Sequence, residues 1–395
     1  MEKLNIDSVD LAGKRVFMRA DFNIPLTTDG EIREDTRIRA ALPTIKKILA
    51  AGGRLVLASH LGRPKGAVVP ELSLKPVAKR LSELLGQSVP LAPDSIGPQV
   101  LAMVDDLQPG GAILLENVRF HAGETKNDPE LAAGFAQLAD VVVNDAFGTA
   151  HRAHASNVGV SNLVSPAVAG QLMAAEIEYF NKAISQPKRP VVAILGGAKV
   201  STKIGVIDAL MEKVDKIIIA GAMANTFFKA MGYQVGSSLV EDTMLDVAAA
   251  AQKSAKAKGV EFILPVDCVI AQKIENDADT KVVSVKNIPD GWMGLDVGPE
   301  SLQLFQNALI GVETIVWNGP LGVFEMPPFA SGTLGLAQSV ANSSAVTVVG
   351  GGDTDAAVRQ AGVADKISHI STGGGAFLEL MEGKNLPGID ALGTI

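Results

Sequence analysis

The stretch Val191-Val192-Ala193-Ile194-Leu195-Gly196-Gly197-Ala198-Lys199-Val200-Ser201-Thr202-Lys203-Ile204-Gly205 decides the fold. It begins as a continuous apolar run, which is typical of a strand buried on both faces, and it breaks at two glycines. Beyond the glycines, apolar residues recur at helical spacing: Val200, Ile204, Ile207 and Met211. A strand that turns through glycine into a helix presents bare backbone N–H groups and the positive end of the helix dipole, which together favour a phosphate.

Two lysines support the prediction of a phosphate site in this stretch. Lys199 and Lys203 are four residues apart, so both ammonium groups can lie on one face of the first helical turn. We therefore predict that a phosphoryl group is transferred here. The alternative is an ordinary strand–helix turn with two solvated lysines. The stretch is not a Walker A loop, because the pattern G-x-x-x-x-G-K-[ST] does not occur in it.

The composition indicates a globular chain with more than one domain. At 395 residues the chain is too long for one ordinary core, and two domains of about 150–200 residues are expected. The aromatic share of 4% is too low for base-stacking platforms, and the net charge of −8 disfavours a nucleic-acid or anionic-membrane surface. Any acidic ligand must therefore be held by locally placed Arg, Lys and backbone N–H groups.

Location and redox state follow from what the sequence lacks. The N-terminal residues show no signal peptide, and no apolar run reaches the roughly 20 residues of a membrane span. The one cysteine, Cys268, lies in the apolar run 262–270 and excludes a disulfide framework, which is typical of a reducing cytosol. We expect a cytoplasmic protein with no membrane partner and with Cys268 as a small core residue.

Strand-like apolar runs alternate with amphipathic helical segments along the chain, which predicts α/β architecture with parallel sheets. The runs are 15–20, 54–59, 112–115 and 139–143 in the first half and 191–195, 216–220, 261–265, 314–317, 345–349 and 366–370 in the second. Between the halves, 166–184 has an apolar stripe at helical spacing that includes Val168 and Ile177, and the polar, proline-flanked 186–190 ends it. We predict a helix that connects two domains.

The residues that follow the strands differ between the two halves. Ligands of open parallel sheets bind beyond the carboxyl ends of the strands, so these positions hold the candidate residues. The first half places polar side chains there, and Arg37 follows in a loop at the head of a helical stretch: Asp21, Asn23, His60, Arg63, Arg119 and Arg152. The second half places glycines there: Gly196, Gly197, Gly221, Gly319, 350–352 and 373–375. We predict that the first half binds a small, multiply anionic molecule through side chains and the second binds phosphates through the backbone.

The arginines of the first half point to a phosphorylated carboxylic acid. Each of Arg37, Arg63, Arg119 and Arg152 alone is more often solvated or structural, but four near the strand ends of one domain favour binding. The planar guanidinium binds carboxylate and phosphate through two hydrogen bonds. Asp21 and Asn23 suit hydroxyl groups of the same ligand, although a turn ahead of Pro25 is the alternative for Asp21. His60 could act as a neutral donor or a cation.

Three segments of the second half favour a nucleotide. In 350–354 the glycines permit close backbone approach, Thr354 can bond to a phosphate oxygen, and Asp353 suits nucleotide-bound Mg²⁺, with helix capping as its alternative. The N–H groups of 373–375 can stabilise a phosphoryl group in transit. Glu325 suits a ribose hydroxyl, although a surface role is equally consistent with the sequence.

Several other functions lack their sequence patterns. No G-x-G-x-x-G follows a strand, so dinucleotide binding is not expected, and no G-x-S-x-G occurs, which disfavours an α/β-hydrolase. His151 and His154 are three apart without a third ligand cluster, so we expect no zinc site.

Taken together, these segments resemble the phosphoglycerate kinase family over almost the whole chain and in collinear order. The motifs are DFNIP at 21–25, SHLGRP at 59–64, ENVRF at 116–120, GTAHR at 148–152, and the segments 195–200, 317–325, 350–354 and 372–376. The resemblance implies two similar-sized Rossmann-like domains with parallel sheets, joined by a hinge helix. The implied boundaries are 1–170 for the acid-substrate domain, 171–186 for the helix, 187–380 for the nucleotide domain and 381–395 for a tail returning to the first domain.

The resemblance also implies the reaction and the site residues. The reaction is reversible phosphoryl transfer between 1,3-bisphosphoglycerate and ADP, yielding 3-phosphoglycerate and MgATP in glycolysis. The implied acid-substrate contacts are Asp21, Asn23, Arg37, His60, Leu61, Gly62, Arg63, Arg119 and Arg152. The implied nucleotide contacts are Gly197, Lys203, Gly294, Asn318, Glu325, Gly351, Gly352, Asp353 and Thr354, with Asp353 toward Mg²⁺. Arg37, Lys199, Gly373, Gly374 and Gly375 would surround the transferring group.

One residue departs from the family pattern, and two further expectations follow from the resemblance. Many members carry Ser or Thr where this chain has Phe377, which puts in doubt a side-chain cap at that helix but not the backbone donors. A monomer is expected, as is hinge closure when both ligands are bound, since an acyl phosphate must be kept from water.

The expected mechanism needs counter-charge and no general base. The nucleophile is a substrate carboxylate, which is ionised at pH 7, and the difficulty is repulsion among anions in in-line transfer. The alternatives are a different ATP-dependent kinase for a small phosphorylated or carboxylate metabolite, a nucleotide-binding regulator without turnover, and a structural scaffold. A coupled assay with 3-phosphoglycerate and MgATP separates them.

Overall fold

The stretch quoted above folds as a buried strand, Val191–Leu195, followed by a 3₁₀ turn, Val200–Thr202, and a helix, Ile204–Leu210. This is a computed structural model, and it describes residues 3–394. The helix begins later than the sequence predicts, because a separate 3₁₀ turn lies between the glycines and the helix. Lys199 precedes that turn and Lys203 follows it, so the two lysines do not share the first turn of one helix as we predicted.

The described chain divides into two compact units, residues 3–178 with 385–394 and residues 179–384. Unit 1 contains a five-stranded parallel sheet in the order β3-β2-β1-β4-β5. Its strands are β1 (Arg15–Arg19), β2 (Arg54–Ala58), β3 (Ala112–Leu114), β4 (Val141–Asn144) and β5 (Ala167–Ala169). The helices that begin in this unit are α1 (Thr36–Ala50), α2 (Lys75–Leu85), α3 (Pro98–Asp105), α4 (Pro129–Ala136), α5 (Val160–Leu163), α6 (Gln171–Phe180) and the short helix Pro387–Asp390.

The core of unit 1 lies on both faces of its sheet. Successive residues of β1 point to opposite faces, so Val16 and Met18 pack in one apolar cluster and Phe17 in the other. Strands covered on both faces are apolar throughout, which is why their runs are continuous rather than alternating. Residues 385–394 complete this unit: Gly393 N–H donates to the Ala167 carbonyl at 2.9 Å, beside the end of the sheet.

Unit 2 contains a six-stranded parallel sheet and two small additional sheets. The large sheet has the order β16-β15-β14-β6-β7-β9, which is the Rossmann order with the unit's first parallel strand at its centre. Its strands are β6 (Val191–Leu195), β7 (Lys216–Ile219), β9 (Glu261–Ile263), β14 (Thr314–Asn318), β15 (Val346–Gly350) and β16 (His369–Ile370). The additional strands are β8 (Gln234–Val235), β10 (Asp267–Ala271), β11 (Lys281–Ser284), β12 (Asn287–Ile288) and β13 (Met293–Val297).

The helices of unit 2 flank this sheet, and none of the helices in residues 3–394 has the length and apolar character needed to cross a bilayer. They are α7 (Ile204–Leu210), α8 (Met223–Ala230), α9 (Leu245–Lys258), α10 (Pro299–Ala308), α11 (Ser331–Ala341), α12 (Gly352–Gln360) and α13 (Gly374–Met381). Each predicted strand-like run overlaps a strand of one of the two parallel sheets, so the predicted α/β class is confirmed.

Two local predictions were wrong, and one sheet was not predicted. Val168 lies in β5 and not in a helix. The sequence did not reveal this strand, because three residues are too few to show a strand period next to the helical stripe that follows. Arg37 lies inside α1 and not in a loop before it. The antiparallel sheet of β10, β11 and β13 was not predicted at all, since the run 262–270 reads as one apolar segment across the break between β9 and β10.

Candidate functional site

In unit 1, the loops after β1 and β2 are joined by the polar residues that the sequence predicts. Asp21 Oδ2 accepts a hydrogen bond from Arg37 Nη1 at 2.6 Å, and this ion pair holds the first loop against α1. Asn23 Oδ1 accepts from the Gly62 N–H at 2.9 Å, which ties the first loop to the second. Asp21, Asn23, Arg37 and Gly62 therefore form one connected group.

Arg119 extends this group toward solvent and holds an unused donor. Its Nη1 donates to the Gly62 carbonyl at 2.8 Å, while its buried Nε has no hydrogen-bond partner among residues 3–394. Burial, followed by the charges of Arg19 and Arg152, lowers the pKa of Arg119 to about 10. The guanidinium is still protonated at pH 7. Repulsion from the neighbouring charges of Arg19 and Arg152 favours an anion beside it, as does the donor without a partner.

A cavity of about 450 Å³ brings three of the predicted arginines together. We call it the basic cavity. Five cationic side chains line it, and no residue described in its wall is acidic: Arg63, Lys65, Arg119, Lys126 and Arg152. The fourth predicted arginine, Arg37, pairs with Asp21 instead. A cavity with this charge and size suits a small molecule bearing a phosphate or a carboxylate.

Next to Leu61 and Gly62 a buried polar group includes residues that the sequence analysis did not select. Arg19, at the end of β1, is fully buried, and its Nη2 lies 3.2 Å from Nδ1 of His60. Its Nε donates to Ser156 Oγ at 2.7 Å, and Ser156 Oγ donates to Glu124 Oε1 at 2.6 Å. An arginine inside the run 16–20, whose other residues are apolar, was the available signal, because a buried guanidinium requires partners.

The two histidines near this group are uncharged at neutral pH. Burial, followed by the charge of Arg19, lowers the pKa of His60 well below 6.5 and that of His154 to about 3. No group of three potential metal-binding side chains lies together anywhere in residues 3–394.

In unit 2, the turns after β6 and β14 pack backbone against backbone. Gly196 N–H donates to the Asn318 carbonyl at 2.9 Å, and Gly197 N–H donates to the Pro320 carbonyl at 3.1 Å. A Cβ atom at Gly196 would lie 2.1 Å from the Pro320 oxygen, so only glycine fits. Our prediction of bare N–H groups at Gly196 and Gly197 was therefore wrong: these donors are used to join two turns.

A second cavity, of about 370 Å³, opens beside these turns. We call it the apolar cavity. It is lined by four of the predicted nucleotide residues, Gly197, Gly294, Glu325 and Asp353. Most of its wall is apolar and includes Phe228, Leu239, Ile274, Met293, Leu321 and Val323. Apolar walls with carboxylates at one side suit a flat organic ring that carries polar substituents.

Two more predicted residues, Asn318 and Thr354, hold the glycine-rich turns in place. Asn318 Nδ2 donates to the Gly350 carbonyl at 2.7 Å, and the buried Thr354 Oγ1 accepts from the Gly319 N–H at 2.7 Å. Both side chains thus brace the end of β14 against the start of α12. This contact uses a lone pair of the Thr354 oxygen, whereas the predicted bond to a phosphate oxygen would use the hydroxyl proton.

The lysines predicted for this site lie in different surroundings. Lys199 is exposed, whereas burial lowers the pKa of Lys203 to about 8, an effect that the charge of Asp353 opposes. Asp353 lies exposed in the first turn of α12, close enough to Lys203 for this influence.

The starts of α12 and α13 are adjacent. A Cβ atom at Gly374 would lie 3.5 Å from Gly351 Cα. Gly373 N–H donates to Ser371 Oγ at 3.3 Å, whereas the first-turn N–H groups of Gly374 and Gly375 have no partner within their own helix. Two helix N-termini side by side favour anionic oxygens.

Phe377, which departs from the family pattern, is a core residue. Its side chain is buried in α13, and a Cβ atom at Gly350 would lie 2.1 Å from its ring. The ring therefore fills the space above the glycine that ends β15. This position supports the turn through packing and does not cap the helix with a hydroxyl group.

Comparisons with known proteins match almost the whole chain. The family model described as "Phosphoglycerate kinase" matches residues 6–384. A curated relative named "Phosphoglycerate kinase" from Acaryochloris marina is 57% identical over 391 residues, covering 98% of this chain and 98% of that one. The relative "Phosphoglycerate kinase, cytosolic" from Nicotiana tabacum is 56% identical over 391 residues, covering 98% and 97%.

A solved structure has the same fold over the whole chain. The phosphoglycerate kinase from Coxiella burnetii superposes with a TM-score of 0.91 at 44% sequence identity, covering 98% of both chains. The predicted resemblance and the predicted pair of Rossmann-like domains are thereby confirmed.

Proposed function

The chain belongs to the phosphoglycerate kinase family, and from that premise we propose that the basic cavity binds the acid substrate and the apolar cavity binds the nucleotide. The enzyme transfers a phosphoryl group reversibly between 1,3-bisphosphoglycerate and ADP in glycolysis. The observation that carries the assignment is the contrast between the two walls. Five cations line one cavity, and mainly apolar residues with three carboxylates, Asp296, Glu325 and Asp353, line the other.

In the proposed acid site, the basic cavity binds the phosphate of 3-phosphoglycerate. Arg63, Arg119 and Arg152 supply the guanidinium groups, which can bind carboxylate or phosphate through two hydrogen bonds. Asp21 and Asn23 bind the hydroxyl group, with His60, Leu61 and Gly62 forming the wall beside them. Arg37, which pairs with Asp21, contacts the substrate carboxyl group that accepts the phosphoryl group.

In the proposed nucleotide site, the apolar cavity binds the base and the glycine-rich helix starts bind the phosphates. Gly197 and Gly294 line the cavity, and Glu325 binds a ribose hydroxyl. Gly351, Gly352 and Lys203 contact the phosphates, while Asn318 and Thr354 act by holding the turns. Both helix starts present N–H groups to phosphate oxygens.

The exposed carboxylate of Asp353 fits Mg²⁺. Magnesium in kinases commonly uses one or two carboxylates together with substrate phosphates and water, and Asp353 is an exposed carboxylate at the phosphate end of the apolar cavity. When bound, the ion would neutralise phosphate charge.

The remaining residues stabilise the group in transit. Lys199, Arg37 and the N–H groups of Gly373, Gly374 and Gly375 supply counter-charge to an in-line transfer, and the carboxylate nucleophile needs no general base. The two cavities belong to different units, so turnover must bring their ligands together. Hinge closure is the proposed means, and small-angle scattering should show a smaller radius of gyration with both ligands than with either alone. An unchanged radius would contradict closure.

The proposal extends to the state of the protein in the cell. We propose a cytoplasmic monomer, and the cytosolic name of the tobacco relative supports the location. Sedimentation velocity at micromolar concentration measures the oligomeric state.

Kinetics of Arg152→Ala test the assignment of the cavities. The coupled assay with 3-phosphoglycerate and MgATP should show KM for 3-phosphoglycerate raised at least about tenfold, on the scale of one lost charged hydrogen bond, with KM for MgATP unchanged. Arg189→Ala is the matched control, because Arg189 is an exposed arginine of unit 2 that pairs with Asp215. An equal rise in both constants would contradict the assignment.

A further inference from the structure

A buried chain of hydrogen bonds ends at His60, and the reaction described above does not account for it. Glu124 is fully buried at the start of the 3₁₀ turn Glu124–Lys126. Its Oε1 accepts from Ser156 Oγ at 2.6 Å, and its Oε2 accepts from Ser156 N–H at 2.9 Å. Ser156 Oγ accepts from Arg19 Nε at 2.7 Å, and Arg19 Nη2 lies 3.2 Å from Nδ1 of His60. We call this sequence of groups the buried polar chain.

The direction of these hydrogen bonds determines the state of the His60 ring. A guanidinium has five donors and no acceptor, so Arg19 can only donate to His60. The Nδ1 atom must therefore offer its lone pair, and the proton of a neutral ring must lie on Nε2. The doubly protonated ring is incompatible with this contact, since both of its nitrogens are donors. Burial and the charge of Arg19 act in the same direction, because both lower the pKa of His60.

Glu124 is the group that makes a buried Arg19 tolerable. Arg19 is fully buried, and an uncompensated buried charge is costly. Burial lowers the pKa of Arg19, and among the charges that oppose this effect Glu124 comes first and Asp21 second. His154 Nδ1 lies 3.6 Å from Glu124, but burial lowers the pKa of His154 to about 3, so an uncharged ring does not compete for the carboxylate.

We propose that Glu124 is a positioning residue that acts through Ser156 and Arg19 to hold His60 as the neutral tautomer with its proton on Nε2. This inference rests on the acid-site role proposed above for His60. An Nε2–H donor can bind an oxygen of the acid substrate without adding a further positive charge beside Arg19 and Arg119. The wrong tautomer would turn a lone pair toward that oxygen and repel it.

The tautomer can be measured directly on the full-length enzyme by ¹⁵N–¹H long-range correlation spectra of the histidine rings. The chain has five histidines, so His60 can be assigned with a His60→Gln spectrum. The wild type should show the Nε2–H pattern at pH 7. Glu124→Gln keeps the shape but removes the charge that holds Arg19, so Arg19 should move away from Nδ1 of His60 and the ring should give the Nδ1–H form or a mixture. Ser156→Ala interrupts the buried polar chain at its middle while the carboxylate of Glu124 remains. It provides the same test if Glu124→Gln does not fold.

Two further variants control for stability and surface charge. Glu124→Asp keeps the charge and should restore the wild-type ring pattern at least in part. Glu130→Gln removes an exposed carboxylate close by in sequence, at the start of α4, and should leave the His60 spectrum unchanged. A His60 ring that keeps the wild-type pattern in folded Glu124→Gln or Ser156→Ala overturns the proposal, whatever the kinetics show.

Kinetics on the same variants separate this inference from the proposed acid site. KM for 3-phosphoglycerate should rise at least about tenfold in Glu124→Gln and Ser156→Ala, the scale of one lost hydrogen bond to a charged group, with KM for MgATP unchanged. An altered tautomer with an unchanged KM would support the buried polar chain and contradict the proposed contact of His60 with the substrate.

Discussion

The proposed acid site of unit 1 and the proposed nucleotide site of unit 2 would bind anions by opposite means. In unit 1 the charge comes from side chains, and the backbone serves mainly to join loops, as when Arg119 and Asn23 both bond to Gly62. In unit 2 the side chains serve mainly to hold turns, as Asn318 and Thr354 do, and two helix starts lie next to each other. The same sheet topology thus supports a site made of guanidinium groups and a site made of turns.

The difference predicts how substitutions in each site affect ligand affinity and stability. A site made of side chains can lose one contact and keep its fold, whereas a site made of close backbone contacts cannot change one atom without moving a turn. Substitutions in unit 1 should therefore change affinity for the acid, and substitutions at the glycines of unit 2 should change stability as well.

The largest effect is expected at the contact between the turns after β6 and β14. In Gly196→Ala the new methyl group would lie 2.1 Å from the Pro320 oxygen, so the turns must separate. We expect a loss of about 3 kcal/mol or more in the free energy of unfolding, the upper part of the range for overpacking, together with weaker MgADP binding. Denaturant unfolding and calorimetric titration measure the two effects.

Gly205→Ala is the matched control for that experiment. Its Cβ would lie 3.3 Å from the Glu382 side chain, which can move, and alanine is favoured over glycine within a helix by about 1 kcal/mol. Unchanged or slightly higher stability is expected. Equal losses in both variants would show that the contact of Gly196 with Pro320 has no special importance.

The next largest effect is expected from Lys199→Ala. Lys199 is exposed and lies outside the hydrogen bonds that hold the turns, so its loss should leave the fold intact. We expect kcat to fall at least about 10²-fold, on the scale of one lost preorganised donor to the transition state. Circular dichroism checks the fold, and a kcat near that of the wild type would remove Lys199 from the proposed role.

The smallest effect is expected from the titration of Lys203. Burial lowers the pKa of this lysine to about 8, so the free enzyme loses the charge as the pH rises through that value. MgADP affinity should therefore be constant below pH 7 and fall a few-fold between pH 7 and 9, in line with one surface-accessible charge pair. Lys203→Arg, which stays protonated, should remove this dependence. A persisting pH dependence in Lys203→Arg would assign it to another group.

The sequence predicted the parallel sheets and the side-chain site better than the turns. Continuous apolar runs are visible without knowledge of the fold. Arginines at strand ends carry their charge whatever conformation the loop adopts, so they too can be selected from the sequence. Arg63, Arg119 and Arg152 were selected in this way and line one cavity. Arg19 was overlooked because its position within an apolar strand hides its charge, and its partners Glu124 and Ser156 are distant in the chain.

The use of each backbone N–H could not be predicted from sequence. Gly196 and Gly197 have the pattern of a phosphate-binding turn, yet their N–H groups bond to carbonyls of the turn after β14. That contact joins residues more than a hundred positions apart, and nothing local indicates it. The role of Phe377 could not be predicted from sequence either. Its ring packs on Gly350 because α13 lies against β15, a contact that only the folded chain shows.

One pair of titrations tests the division between the two cavities most directly. Calorimetry on Arg119→Ala should show affinity for 3-phosphoglycerate reduced at least about tenfold, because a buried guanidinium with an unused donor is lost, while affinity for MgADP equals that of the wild type. An unchanged affinity for 3-phosphoglycerate, or an equal loss for both ligands, would contradict the assignment of the acid to unit 1 and the nucleotide to unit 2.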